Sequence, residues 1–168
     1  MKIALILGAV ILMVYSSKKF YDIAISGVND EFDHLFKVSA QKHLINPRYI
    51  KALSMNESYL GAYGNAVTVN GNTTRGLMHL ELPTARDYVS SIEQKDLDES
   101  PQLEIDIAAQ HFKWLMDQFN GSLELAVRGY NGGIGRVRQY QNGTAPDHWV
   151  KNTDEYWTRF QRNLDKIS

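Results

Sequence analysis

The chain has 168 residues, a mass of 19.1 kDa, 43% hydrophobic and 22% charged residues, and a formal net charge of −1. This composition suits one globular domain with a short appendage, and a near-neutral balance lacks the basic surplus that a nucleic-acid partner requires. With no cysteine, disulfides, thiolate chemistry and cysteine-based zinc sites are excluded.

Residues 3–15, IALILGAVILMVY, carry no charge or strongly polar group. As a helix they reach roughly 20 Å, short of the roughly 30 Å hydrocarbon core of a bilayer. That length suits residues 1–17 as a signal peptide, with Val14 and Ser16 as small cleavage-site residues. They also suit a short membrane anchor, extended by Ser16 and Ser17 and by snorkelling of Lys2, Lys18 and Lys19. A buried core helix is a third reading, weakened by the lack of a polar face. Both membrane readings predict a protein anchored in the membrane or exported to the periplasm or cell envelope, although Lys18 and Lys19 mildly oppose that orientation.

Residues 18–32 read as a tether, and helical patterns dominate over 33–168. Asn46-Pro47 signals a helix start, with Asn as the cap and Pro at the first helical position. Ile50, Leu53 and Glu57 then share one face. Residues 66–74, AVTVNGNTT, alternate around Asn-Gly and predict a small β-hairpin or long loop. Pro83 opens a helix through residue 93. The clearest amphipathic helix spans 102–119, with Ile105, Ala108, Ala109, Phe112, Leu115, Met116 and Phe119 on one face. A further stripe, Leu123 to Tyr130, stops at Asn131-Gly132-Gly133. A final helix near 153–166 aligns Tyr156, Phe160 and Leu164. The predicted class is mainly α, with one small β element after the Glu57 helix.

Glu57 is the first candidate for chemistry. It continues an apolar stripe at the end of its helix, so its carboxyl is expected to be partly desolvated. Desolvation raises a carboxyl pKa and keeps the group protonated near neutrality, as a general acid must be. Residues 58–80 contain no Asp or Glu, so no second carboxylate comes from the segment beside it. The five histidines (34, 43, 79, 111, 148) show no metal-binding spacing, and neither a metal nor another cofactor is expected. Asn131 reads as a helix cap as well as a polar contact. Tyr59, Tyr63, Trp149 and Trp157 are aromatic platforms for sugars or ordinary packing residues.

The run NPRYIKALSMNESYLGAYGNAVT, followed by TRGLMHLELPTARDY, resembles the catalytic signature of the soluble lytic transglycosylases, a goose-lysozyme-like family. LAVRGYNGGIGRVRQY resembles that family's Tyr-Asn block, and the 103–126 segment resembles the helix before it. The resemblance covers roughly residues 44–160. It implies a lysozyme-like α+β domain with a β-hairpin wall beside the cleft, acting on peptidoglycan glycan strands. It makes Glu57 the catalytic acid/base and Ser58, the second member of the Glu-Ser pair, a substrate-binding residue. It places Thr68 in the loop wall, Gly76 and Met78 in a strand-like run lining the cleft, and Tyr130 and Asn131 against the saccharide. It makes Tyr156 the aromatic residue that holds the catalytic carboxyl and counts it with the substrate-binding residues. His79 stands where the family usually has Gln; it can still donate to a sugar.

The implied reaction cuts the β-1,4 bond from N-acetylmuramic acid to N-acetylglucosamine and closes a 1,6-anhydro ring. The nucleophile is then the sugar's own hydroxyl, and one carboxyl suffices, whereas common glycosidases need two. The competing readings are a goose-type hydrolase that uses water, a peptidase of related fold, and a non-catalytic peptidoglycan-binding protein. The small size suits a phage enzyme, acting at the virion membrane or in lysis, and equally a secretion-associated enzyme.

Overall fold

The computed structural model describes residues 28–61, 66–67, 73–74 and 76–167. The apolar segment 3–15, the tether up to residue 27, Tyr63 and Thr68 lie outside them. Among the described residues, no helix is long and apolar enough to cross a membrane.

The elements, in chain order, are α1 (Asp33–Lys42), α2 (Pro47–Glu57), β1 (Ala66–Val67), β2 (Thr73–Thr74), α3 (Leu82–Arg86), α4 (Gln94–Glu99), α5 (Pro101–Gln118), α6 (Leu123–Gly132), α7 (Ile134–Gln141) and α8 (Asp147–Asp165). β1 and β2 form an antiparallel pair with Ala66 opposite Thr74 and Val67 opposite Thr73. This small β element stands where the alternation around Asn-Gly predicts it.

Local chemistry sets the helix starts. The Asn46 side chain accepts from the Arg48 N–H at 3.0 Å, with Pro47 in the first turn of α2. Ser100 caps α5 ahead of Pro101 in the same way, and Ser122 caps α6. Each such cap is worth about 1 kcal/mol. The segment from Pro83 to residue 93 is not one helix. The short α3 ends at Arg86, and α4 starts afresh from a capping box between Glu93 and Asp96. The stop at 131–133 is only a break. Gly133, at φ 79°, ends α6 and α7 follows at once, so Asn131 sits inside α6 rather than capping it.

α2 packs between α1 and α8, and α5 packs against α1, α4 and α6. Their apolar faces meet in one core that includes Phe36, Leu53, Met78, Ile105, Phe112 and Phe160. A smaller cluster, Leu80, Ala85, Ile92, Leu97 and Ile107, sits under α3 and α4. Buried polar bonds fix the register of α8 on α2. Asn56 Nδ2 donates to the Tyr156 carbonyl at 3.0 Å, and Asn163 Nδ2 donates to Asn56 Oδ1 at 2.8 Å. This pairing sets Tyr156 opposite Glu57.

Candidate active site

Glu57 ends α2, and only 16% of its side chain reaches solvent. The Tyr156 hydroxyl, from α8, donates to Oε1. His79 Nδ1 lies 3.9 Å from Oε2. Burial pushes the Glu57 carboxyl up to about 7, against the pull of the Tyr156 hydrogen bond and the Arg159 charge. Arg159 lies over the Tyr156 ring, 5.4 Å from its centre. One carboxyl oxygen is thus held, and the other faces His79. A group in this state carries a proton near neutrality and can give it to a leaving oxygen.

A turn over residues 76–79 faces Glu57. It makes no regular ladder, and three helices hold it in place. From α2 and its C-cap, Ser54 Oγ and Ser58 Oγ both donate to the Leu77 carbonyl, at 2.9 and 2.8 Å. From α5, Glu104 accepts the Leu77 N–H on Oε2 at 2.8 Å and the Met78 N–H on Oε1 at 2.9 Å. From α6, the Tyr130 hydroxyl donates to the Met78 carbonyl at 3.1 Å. Gly76 adopts φ 79°, and a Cβ there would run into the Glu104 carboxylate. The turn then delivers His79, itself at φ 45°, beside Glu57.

Several expected roles change with these contacts. The run through Gly76 and Met78 is a turn rather than a strand-like wall. The Met78 side chain is fully buried in the core, so it does not line a cleft. Ser58 is also fully buried, and its hydroxyl is taken up by the Leu77 carbonyl and the Gly61 N–H. It holds the turn in place and does not touch a sugar. Tyr156, 3% exposed, presents its hydroxyl to Glu57 and is likewise not a sugar contact. Asn131 is exposed on α6 and Tyr130 is half-buried. Of the aromatic platforms, Trp157 stacks on Phe160 at 5.6 Å, and Trp149 packs where a Cβ on Gly132 would otherwise lie. Tyr59 is exposed just past α2.

Glu104 is the residue that the sequence reading misses. It is 1% exposed. Burial raises its carboxyl to about 7, countered by the N–H donors of Met78, Leu77 and Leu80 and reinforced by Asp98. A signal was present: Glu104 precedes Ala108 and Phe112 at helical spacing, on the same apolar stripe of α5. A carboxyl on an apolar face marks Glu104 as much as it marks Glu57. The outcome differs because both Glu104 oxygens are occupied by backbone N–H groups, which makes it a structural acceptor.

The pH dependence follows from these contacts. If protonated Glu57 is the working form, turnover falls as pH rises through about 7. Tyr156→Phe removes a hydrogen bond that lowers the Glu57 pKa, so the alkaline limb should move to higher pH. A pH–rate profile of both proteins checks this, and an unmoved limb would rule out Glu57 as its origin.

Comparison with solved structures shows the class of fold. The chain superposes on an inactive mutant of lytic transglycosylase Slt from Pseudomonas aeruginosa with a TM-score of 0.62 and 26% identity, covering 82% of this chain and 23% of that one. It superposes on the 70 kDa soluble lytic transglycosylase from Escherichia coli with a TM-score of 0.60 and 21% identity, covering 83% of this chain and 26% of that one. The class is the mainly helical, lysozyme-like fold, and the chain spans about a quarter of the length of these two relatives. The model of the transglycosylase SLT domain matches residues 34–148, and the chain belongs to that family.

Proposed function

We propose that this protein is a peptidoglycan lytic transglycosylase that cleaves the bond from N-acetylmuramic acid to N-acetylglucosamine, with Glu57 as its acid and then its base. The observation that carries this reading is the state of Glu57: a mostly buried carboxyl with a raised pKa, one oxygen held by Tyr156, in a member of the SLT family. The acid-free run 58–80 supports it, and Glu104 has no oxygen to spare.

In the reaction, Glu57 gives its proton to the glycosidic oxygen as the C1–O bond breaks. The substrate's N-acetyl oxygen stabilises the positive centre at C1. The C6 hydroxyl then attacks C1, and its proton passes to the Glu57 carboxylate. A 1,6-anhydro ring closes and the acid is restored. The attacking group is already tethered, so proximity does the work that an activated water does in a hydrolase. Tyr130, Asn131, His79 and the loop position Thr68 are the proposed sugar contacts.

The apolar segment 3–15 and this substrate suggest action at the cell envelope, with that segment as signal or anchor. Mass spectrometry of muropeptides released from sacculi tests the reading. Anhydromuramic ends are expected from the wild type. Free amines without new sugar ends would show a peptidase, and no soluble fragments would leave only a binding protein.

A further inference from the structure

An aromatic cluster adjoins Tyr130. The His111 ring, on α5, lies 5.7 Å from the Tyr130 ring and 5.7 Å from Trp114, to which it is close to parallel at 21°. Tyr88 meets the same imidazole edge-on, its hydroxyl 3.0 Å from Nδ1. Trp114 is 39% exposed, one of the exposed large apolar side chains among the described residues. His111, itself held by Tyr88, thus lies against one side of an indole that is partly open to water.

We propose that Trp114, braced by His111, is a distal subsite that stacks a sugar ring of the glycan strand beyond Tyr130. The inference rests on the glycan-cleaving function proposed above. A pyranose ring offers an apolar C–H face, which suits an aromatic plane, while its rim of polar groups stays in water. An indole held in place loses little rotamer freedom on binding, so more of the stacking energy appears as affinity. Burial lowers the His111 pKa to about 4, so the brace is neutral when Glu57 works and places no charge beneath a neutral sugar. Continuity favours the glycan as occupant: Trp114 is two ring spacings from Tyr130, whose hydroxyl holds the turn facing Glu57. The Lys113–Asp117 pair on the same helix keeps the surrounding surface polar, as a glycan site requires and an apolar protein interface does not.

The test uses glycan strands freed of peptides and fractionated into tetrasaccharides and long strands. With Trp114→Ala, KM on long strands should rise about fivefold to tenfold, the loss of one aromatic stack. kcat should stay unchanged, as should KM on tetrasaccharides, which bind around Glu57; the tetrasaccharide rate also reports that the variant folds. Trp114→Phe should recover most of the affinity. Equal KM for wild type and Trp114→Ala on long strands overturns the subsite while leaving the transglycosylase reading intact. An equal loss on both lengths also overturns it, because the residue then supports the fold. A wild type that cuts neither length refutes the reading on which the subsite rests.

Discussion

Glu57→Gln is expected to lower turnover on peptidoglycan by about a thousandfold or more while leaving the fold intact. A general acid–base group contributes about a hundredfold to ten-thousandfold, and here one side chain fills both roles. The substituted amide can still accept from Tyr156 but is no acid and cannot protonate a leaving oxygen. The same change should stabilise the protein above pH 7. A carboxyl raised from 4.5 to about 7 on folding binds its proton more tightly in the native state, so its contribution is full below 4.5 and is lost as pH rises to 7. At pH 8 the buried charge costs about 3 kcal/mol, and the amide avoids that cost. Denaturant melts at pH 8 and release of soluble fragments from sacculi check the two halves. Activity retained by the Glu57→Gln variant would remove Glu57 from the chemistry.

Glu104→Ala should have the second largest effect, on stability first and activity second. It leaves the Leu77 and Met78 N–H groups buried without acceptors, at about 1–3 kcal/mol each. A loss of about 2–6 kcal/mol is expected at pH 5, where the native carboxyl is still protonated. The turn also loses its α5 support, so His79 and the Tyr130 contact shift, and misplacement of this size costs about a hundredfold in rate. Glu104→Gln should lie between, because its amide nitrogen would face an N–H that now meets an oxygen. Wild-type activity retained in the Ala variant would show that the turn holds itself.

Glu57 and Glu104, both raised to about 7, keep protons in the native state that the unfolded chain releases between pH 4.5 and 7, while His111, lowered from 6.5 to about 4, offsets about one of the two below pH 6.5. Wild-type stability should therefore decline across that interval. Chemical denaturation at a series of pH values measures it, and a flat profile would show that at least one of the two carboxyls is not raised.

What the sequence made legible follows from where the information is local. The start of α2, the stripe of α5 and the β pair rest on caps, periodicity and an Asn-Gly turn, all readable over a few residues. Glu57 was legible because its place on an apolar stripe conflicts with its charge. The 76–79 turn was not, because its conformation comes from Ser54, Ser58, Glu104 and Tyr130, side chains far apart in the chain. For the same reason Ser58 and Met78 looked like cleft residues, although their burial points them inward. α7 was missed because Gly133 both ends α6 and lets the chain turn directly into another helix. Glu104 was legible in principle, because it sits on the apolar stripe of α5.

The central claim is that one carboxyl suffices because the sugar supplies its own nucleophile. Digestion of sacculi in water enriched in heavy oxygen tests this most directly. Anhydromuramic ends without the label are expected, formed by wild type and absent with Glu57→Gln. Muramic acid ends that carry the label at C1 and depend on Glu57 would show water as the nucleophile and contradict it.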